Sequence, residues 1–262
     1  MDKVQKTSNM TGERIKEYLL EGKRFDKRSP EEFRELIIEP GISKNAEGSA
    51  RVKLGKTEVL VGVKMSTSEP YPDSPDKGNL MVTTELLPLS SPRFEAGPPK
   101  IESIELGRLI DRAIRESKLI ELEKLCIKKG EKVWTVFIDI YSINDDGNLL
   151  DASLLGVLKA LQEAKFPKIV DDKIDHESKT NSGLKLAKLP ILTTVYKING
   201  KLLVDVNTQE EKVIDARLSV SVANGQIHAL QKGGDVSFSV DEVKKAVEIA
   251  TKKEKEMVKF LK

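Results

Sequence analysis

The stretch KVWTVFIDIYSIND (132–145), near the middle of the chain, constrains the fold more than any other part of the sequence. Successive side chains of a β-strand point to opposite faces of its sheet, so Val133 and Phe137 share one face and Val136 and Ile138 share the other. Large apolar residues therefore lie on both faces. This pattern is typical of the middle of a sheet, and we expect a central strand with both faces covered.

The order of helices and strands around this segment predicts an α+β fold with mixed sheets. Apolar residues recur at helical spacing between Glu102 and Lys118, which predicts an amphipathic helix that buries one face. A second helix follows the central strand and is expected to end at Pro167, because proline does not continue a helix. Alternating patterns then predict strands at 191–198, 201–206, 217–222 and 226–231. This order fits packed sheets and helices better than an alternating parallel array.

The length of 262 residues allows one large domain or two small ones. No short-period repeat is visible. We expect a single domain over residues 1–262, with an N-terminal helix at about 11–22, a core at about 30–235 and a C-terminal helix at about 240–260.

Composition excludes several classes of protein. A net charge of +2 gives no bulk electrostatic reason to bind nucleic acid, so any such contact must come from a local patch. The single cysteine, Cys126, excludes an internal disulfide and fits a reducing compartment. No apolar stretch has the length of a signal-peptide core or a membrane span. We therefore expect a soluble cytoplasmic protein.

No motif predicts a cofactor or a metal. The segment ARVKLGKT (50–57) resembles the end of a P-loop, but Ala50 stands where the first glycine is required, and a β-pattern follows where a helix should begin. A hairpin turn at Gly55 is the better interpretation. His176 and His228 have no ligand companions at metal-binding spacing.

Three arginines form a line along the predicted central helix. At about 100° per residue, Arg108, Arg112 and Arg115 fall within one narrow arc opposite the apolar residues. Asp111 and Glu116 are spaced to form the pairs Asp111–Arg115 and Arg112–Glu116, which favours a solvated surface whose charges pair internally. The alternative is a stripe that contacts nucleic-acid phosphates, for which the guanidinium fork is suited.

Four carboxylates stand between two alternating apolar runs in the stretch VDVNTQEEKVIDARLSV (204–220). Carboxylates so placed can act as general acids or bases, or they can be turn and cap residues on a solvated loop. Asp205, Glu211 and Asp215 are the candidates for the catalytic alternative.

Three longer stretches, IELGRLIDRAIRESKLIELEKL, KVWTVFIDIYSINDDGNLLDASLLGVLKAL and LLVDVNTQEEKVIDARLSV, resemble the RNase PH family. The similarity spans nearly the whole chain and is greatest to the non-catalytic ring subunits of archaeal exosomes. The resemblance implies an RNase PH-like fold of two βαβα-type halves with mixed sheets packed against helices. It also implies partners: a catalytic RNase PH-like subunit in a ring of three heterodimers, RNA-binding cap subunits, and RNA, but no membrane.

The resemblance also indicates what this chain lacks. Active relatives bind phosphate through a Gly-Thr-Arg segment at the N-terminus of the helix after the central strand. Here Leu149 and Leu150 replace the threonine and the arginine, and Asp151 adds a negative charge that would repel phosphate. Active relatives carry two aspartates in a pattern like EDxxGEAD, and these positions fall on Glu211 and Arg217. An arginine cannot act as a general acid, because its pKa lies above about 12.

We therefore expect a non-catalytic structural and RNA-guiding subunit of an archaeal exosome, a hexameric ring that degrades RNA from its 3′ end. No catalytic residue, metal or cofactor is assigned to this chain. The family places the central helix near the path of RNA, which makes Arg112 the first candidate for a phosphate contact, with smaller contributions from Arg108 and Arg115 because each has an acidic neighbour. Two alternatives remain: a self-sufficient phosphate-dependent exoribonuclease, and a structural protein that does not bind RNA.

Overall fold

The computed structural model describes residues 9–170 and 173–262. The elements of the first half are α1 (Asn9–Leu20), β1 (Leu36–Pro40), β2 (Gly48–Leu54), β3 (Thr57–Ser68), β4 (Asn79–Leu86), α2 (Ile101–Ser117), a 3₁₀ turn (Leu122–Leu125), β5 (Cys126–Lys128), β6 (Lys132–Asn144) and α3 (Leu149–Glu163). The strands form one mixed sheet in the order β1-β2-β3-β6-β4, with β5 also paired to β6. β4 and β6 are parallel, and the other pairs are antiparallel.

The second half contributes a smaller sheet. Its elements are β7 (Lys165–Val170), β8 (Lys173–Gly183), β9 (Ile191–Ile198), β10 (Lys201–Val204), α4 (Thr208–Glu211), β11 (Ala216–Ala223), β12 (Gln226–Gly234), α5 (Val240–Met257) and a 3₁₀ turn (Val258–Leu261). Four strands form an antiparallel sheet in the order β10-β9-β11-β12, and β7 pairs with β8. The predicted α+β class is confirmed.

β6 lies between β3 and β4, which confirms the predicted central strand. Val136, Ile138 and Ile140 are buried against the helices on one face. On the other face Phe137 and Tyr141 are only half-buried, so the prediction that both faces are covered is wrong for this part of the strand. The sequence could not reveal this, because an aromatic side chain fits a strand surface whether or not a second layer covers it.

The helices occupy positions close to those predicted. α2 begins and ends one residue before the predicted range 102–118, and it buries a single face that includes Leu106 and Ile110. α3 is buried nearly all round because it packs against β2 and β3 on one side and β9 on the other. It ends at Glu163 and not at Pro167, which lies within β7; the residue before a proline is restricted to extended conformations.

One hydrophobic core joins the two halves. Ile191 and Leu192 of β9 and Met257 of α5 pack in the same cluster as the first sheet and α3. α1 ends at Leu20, two residues before the predicted end, and packs through Ile15 against the second sheet. Among the helices of the described residues, none combines the length and the apolar character that a bilayer-spanning segment needs.

Candidate functional site

The loop before α3 is held tightly against the loop after β10. Gly147 has a φ of 83°, and a Cβ there would lie 2.5 Å from the carbonyl oxygen of Val206, so only glycine fits. The Thr57 hydroxyl and the Arg34 guanidinium both donate to the Gly147 carbonyl. The start of α3, at Leu149, is thereby brought beside residues of the second half.

Asn148, immediately before α3, connects three carboxylates. Its backbone N–H donates to Oε1 of Glu211 at 3.4 Å, and its Nδ2 donates to Asp151 at 3.1 Å and to Asp205 at 3.0 Å. The Tyr196 hydroxyl donates to Oδ1 of Asn148. Because Asn148 is fully buried, water cannot compete for these bonds. Carboxylates of the chain itself therefore occupy the helix N-terminus, where an external anion would otherwise be favoured.

Asp151 is buried in the first turn of α3 and forms no ion pair with any described residue. It accepts hydrogen bonds from the backbone N–H of Thr194 at 3.0 Å and from the Thr194 hydroxyl at 2.8 Å. Burial raises the pKa of Asp151 to about 7, although these hydrogen bonds and that from Asn148 oppose the rise. The carboxyl group is thus directed into the interface between α3 and β9 and not toward solvent.

Asp205 is also buried, but it is surrounded by cations. It has a φ of 48°, and its carboxylate pairs with Arg28 at 2.9 Å and with Arg34 at 2.7 Å. The backbone N–H of Arg34 donates to the same carboxylate at 2.7 Å. Arg24 donates to the Asp205 carbonyl. Donors of the chain therefore occupy the oxygens of Asp205, which acts as a structural anchor for the loop after β10.

Glu211 and Arg93 form part of a small charged network at the protein surface. Nη2 of Arg93 lies 3.4 Å from the Glu211 carboxylate and 2.8 Å from that of Asp145. The Glu211 side chain is 22 % exposed. Burial nevertheless raises the pKa of Glu211, while the positive charge of Arg93 opposes the rise. Sequence reasoning missed Arg93, because nothing in its proline-rich loop indicated that it would contact α4.

One cleft contains four of the residues named from the sequence. Leu149, Leu150, Glu211 and Arg217 line a cavity of about 210 Å³ between α2, α3 and β11, which we call the cleft. Arg217 pairs with Glu105 of α2 at 2.7 Å. The positions at which the resemblance places the phosphate and acid groups of active relatives thus lie together in space. Both arginines that line the cleft are paired with carboxylates of the same chain.

The other carboxylates considered for catalysis lie elsewhere. Asp205 is buried, as described above, and the Asp215 carboxylate accepts a hydrogen bond from the backbone N–H of Asn199 at 2.6 Å. Of these three candidates, only Glu211 lines the cleft.

The arginine line, Arg108, Arg112 and Arg115, lies exposed on α2. Arg115 is restrained, because it pairs with Asp111 at 2.8 Å and donates to the Leu80 carbonyl. The predicted pair between Arg112 and the glutamate at 116 does not form; Arg112 donates instead to the Gln231 amide oxygen, at 2.9 Å, because β12 packs beside α2. No ion pair among the described residues includes Arg108, so the acidic partner expected for it is also absent.

Sequence comparison identifies the family. The pattern of the 3′ exoribonuclease family, domain 1, matches residues 32–167, and that of domain 2 matches residues 188–253. The chain belongs to the RNase PH family. The resemblance in the central helix, the central strand and the carboxylate-rich stretch is therefore confirmed.

The RNase PH family members most similar in sequence include exosome proteins of archaea. "Exosome complex component Rrp42" of Thermococcus onnurineus is 45 % identical over 261 residues, which cover 98 % of this chain and 96 % of that protein. The protein of the same description from Methanothermobacter thermautotrophicus is 40 % identical and covers 100 % of this chain and 97 % of its own length.

Solved structures confirm the RNase PH-like fold. A chain from the Archaeoglobus fulgidus exosome with RNA bound to the active site matches with a TM-score of 0.91 and 40 % identity, over 97 % of this chain and 98 % of that chain. A chain from an archaeal exosome core matches with a TM-score of 0.87 and 36 % identity, over 97 % of both chains.

Proposed function

We propose that this chain is the non-catalytic structural and RNA-guiding subunit of a cytoplasmic exosome of the archaeal type. In this proposal it alternates with a catalytic RNase PH-like subunit in a ring of three heterodimers, beneath RNA-binding cap subunits. The observation that carries the proposal is the cleft, in which carboxylates and leucines of the chain occupy the positions that phosphate and a general acid require. The relatives described above support the assembly.

The charges around the start of α3 argue against phosphate binding. Leu149 and Leu150 supply no hydrogen-bond donor from their side chains. Glu211 accepts the N–H of Asn148, so a negative charge already lies at the helix N-terminus. A phosphate would have to displace the Glu211 carboxylate. It would also have to approach the carboxylate of Asp145, which is paired with Arg93 at 2.8 Å.

The arrangement of carboxylates argues against proton transfer to a leaving group. Arg217 cannot protonate an oxygen near neutral pH. Asp205 is buried and bonded to arginines, and Asp151 faces β9. A general acid has to reach the reacting oxygen within hydrogen-bond distance, and neither aspartate lines the cleft.

The arginine line supports an RNA-guiding role. Arg108 and Arg112 are exposed and are not neutralised by a described carboxylate. A guanidinium in this state can contact a phosphate without breaking an existing ion pair. Arg115 would first have to leave Asp111.

We also propose that residues 1–262 fold as one domain. The core that joins β9 and α5 to the first sheet supports this, as does the buried bond between Asp151 and Thr194, which spans the two halves. A single unfolding transition, observed with probes in both halves, is expected.

One observation favours the alternative of a self-sufficient phosphorolytic enzyme. Glu211 lines a cleft, is partly exposed and has a raised pKa, and these are properties of a general acid. Arg93 beside it could bind phosphate if Glu211 were protonated.

Co-purification tests the proposal. The chain, expressed with a catalytic RNase PH-type chain, should give a complex with the mass of six chains that degrades RNA in the presence of phosphate. Expressed alone, it should be monomeric, dimeric or aggregated, and inactive. A stable hexamer of this chain alone that does not take up the catalytic chain would contradict the proposed assembly.

A further inference from the structure

The last strand of the second sheet runs beside α2. In the order β10-β9-β11-β12, β12 lies at the end, and α2 packs along it. Side-chain contacts between α2 and this sheet join Glu105 with Arg217 at 2.7 Å, Arg112 with Gln231 at 2.9 Å, and the carbonyl oxygen of Glu116 with Nδ1 of His228 at 3.2 Å. These three helix positions share one face, because spacings of about seven and four residues return to the same side of a helix. The arginine line therefore borders β12 at Arg112.

The contact of Arg112 differs from those of its neighbours on the arginine line. Nη1 of Arg112 donates to the amide oxygen of Gln231, and a guanidinium has no acceptor, so the oxygen and not the NH₂ group must face it. The amide is uncharged, whereas Arg115 is bound to the carboxylate of Asp111. The Arg108 side chain has neither an ion pair nor a hydrogen bond to another described residue. Arg112 is thus the arginine of the line that is held in place and still carries an uncompensated charge.

Gln231 is well placed to restrain another side chain. It lies half-buried within β12 and pairs in register with Ser219 of β11. The Ser219 hydroxyl lies 3.0 Å from the Thr194 hydroxyl, which donates to Asp151 at 2.8 Å, and all three of these residues are buried. The backbone at Gln231 is therefore fixed by strand pairing next to a buried polar cluster, whereas a loop residue would be free to move.

A guanidinium held in this way needs less ordering when it binds a phosphate. Ordering a long, freely rotating side chain on association weakens binding by about two- to tenfold. Only Nη1 of Arg112 is used by Gln231, so the Nε–Nη2 edge keeps the parallel donors that bind a phosphate through two hydrogen bonds. The NH₂ group of Gln231 supplies further donors beside them. Gln231 therefore restrains Arg112 without cancelling the charge that attracts a phosphate.

We propose that Gln231 is a positioning residue for RNA: its amide oxygen holds the guanidinium of Arg112 in a phosphate-binding orientation and leaves the charge of that guanidinium uncompensated. The inference rests on the proposed function and names the residue that makes Arg112 the strongest phosphate contact of the arginine line. A purely structural bond between α2 and β12 would be served equally well by a glutamate, which would pair with Arg112 and cancel its charge. Exchange of the amide for a carboxylate therefore separates the two roles.

Gln231→Glu keeps the length and shape of the side chain and adds a negative charge. We expect it to pair with Arg112, so that fold and ring are retained, while RNA affinity falls by about 10-fold and the salt slope of binding decreases by about one unit. The measurement is a titration of dye-labelled oligoadenylate at several salt concentrations, on rings assembled with the catalytic chain, in phosphate-free buffer so that the RNA is not degraded.

The matched control is Gln226→Glu, which adds the same charge to an exposed residue at the start of β12. This position lies about 16 Å along the strand from Gln231, which exceeds the Debye length of about 10 Å at 0.1 M salt. Gln226→Glu should therefore change RNA affinity by less than about twofold.

Gln231→Ala tests positioning without added charge. Release of Arg112 should lower RNA affinity by about three- to fivefold and leave the salt slope unchanged, because the charge remains. In an Arg112→Ala background, the same substitution should change affinity by less than about 1.5-fold, because no guanidinium is left to position. The four proteins form a double-mutant cycle that measures the coupling between the two side chains.

Wild-type affinity and salt slope in Gln231→Glu, in rings of verified mass, would overturn the proposal, and so would equal losses in Gln231→Glu and Gln226→Glu. A loss in Gln231→Ala that persists in the Arg112→Ala background would assign Gln231 a structural role and also reject it. These outcomes leave the proposed function standing as long as Arg112→Ala itself weakens RNA binding. If Arg112→Ala binds RNA as the wild type does, the RNA-guiding role of the arginine line fails together with the positioning role.

Discussion

The cleft and the arginine line both contain arginines, and both include residues of α2. They differ in whether these arginines are already paired with carboxylates and hence in how available they are to an anion. In the cleft, Arg93 is paired with two carboxylates and Arg217 with one. On the arginine line, Arg108 and Arg112 have no carboxylate partner among the described residues.

The difference shows that a count of arginines does not locate an anion site. A carboxylate fixed beside an arginine is present at a very high effective concentration, so a dissolved phosphate competes poorly for the same guanidinium. We therefore propose that the carboxylates of the chain keep dissolved anions out of the cleft. On the arginine line, Arg115 engages Asp111, and no other ion pair among the described residues includes an arginine of the line, so Arg108 and Arg112 remain available.

The largest expected effect concerns the closed cleft. The partner-free chain, incubated with RNA and phosphate, should release nucleoside diphosphates at least about 1000-fold more slowly than the complex with the catalytic chain, because the proposed function assigns it neither a phosphate site nor a general acid. Chromatographic quantification of nucleoside diphosphates measures both rates. In the complex, Glu211→Gln should leave the rate of nucleoside diphosphate release within about twofold of that of the wild-type complex. A loss of about 100-fold in this variant would support the enzymatic alternative.

The second prediction concerns Asp151, the buried carboxyl in the first turn of α3, which forms no ion pair with a residue that the structure describes. Its pKa is about 7 in the folded chain against an ordinary value of 3.8, so the folded protein retains a proton over the interval in which the unfolded chain loses it. The proton retained by Asp151 therefore favours the folded state at low pH, and this contribution to stability is lost as the pH rises toward 7. Between pH 5 and pH 8 we expect it to lower the free energy of unfolding by about 2–3 kcal/mol.

Urea unfolding at several pH values measures this effect. Asp151→Asn should remove most of the pH dependence, although its amide cannot accept all the bonds from Thr194 and will lower stability at pH 5. The control Asp215→Asn alters a carboxylate that bonds one backbone N–H on a turn, and it should preserve the slope. An unchanged slope in Asp151→Asn would reject the assignment.

The third prediction tests the open region. In the assembled ring, Arg112→Glu should weaken RNA binding by about 1–2 kcal/mol and lower the salt slope by about one unit, with no change in base preference. The structure extends this expectation to Arg108→Glu, because Arg108 also has no acidic partner within the described part of the chain. Salt titrations of RNA affinity, on rings whose mass is verified, measure both. Equal affinities and equal slopes in intact variant rings would remove the arginine line from the RNA path.

The smallest effect is expected at Arg115. Its bonds to Asp111 and to the Leu80 carbonyl restrain it, so Arg115→Gln should change RNA affinity by less than about threefold and stability by about 0.5 kcal/mol. Titration and urea unfolding measure the two quantities. If Arg115→Gln weakened binding as much as Arg112→Glu, existing ion pairs would not determine which arginines are available.

Sequence alone determined the elements whose signal is local. β9 was expected at 191–198 and occupies those residues, and α2 is displaced by one residue, because periodicity reports directly which side chains face a core. The sequence also placed Leu149 and Arg217 at positions of a lost phosphate site and a lost acid, which stays a prediction; the structure shows that both residues line the cleft.

Only the tertiary structure decided the partners of the charged side chains. Glu211 meets Arg93 across 118 positions and Arg112 meets Gln231 across 119, separations over which no pattern in a single sequence specifies contact. The half-buried face of β6 at Phe137 and Tyr141 is a second example, because alternation describes a strand but not the layers on either side of it. Local periodicity follows from backbone geometry. The partners of charged side chains, and whether a sheet face is covered by a second layer, depend instead on how distant segments of the chain pack.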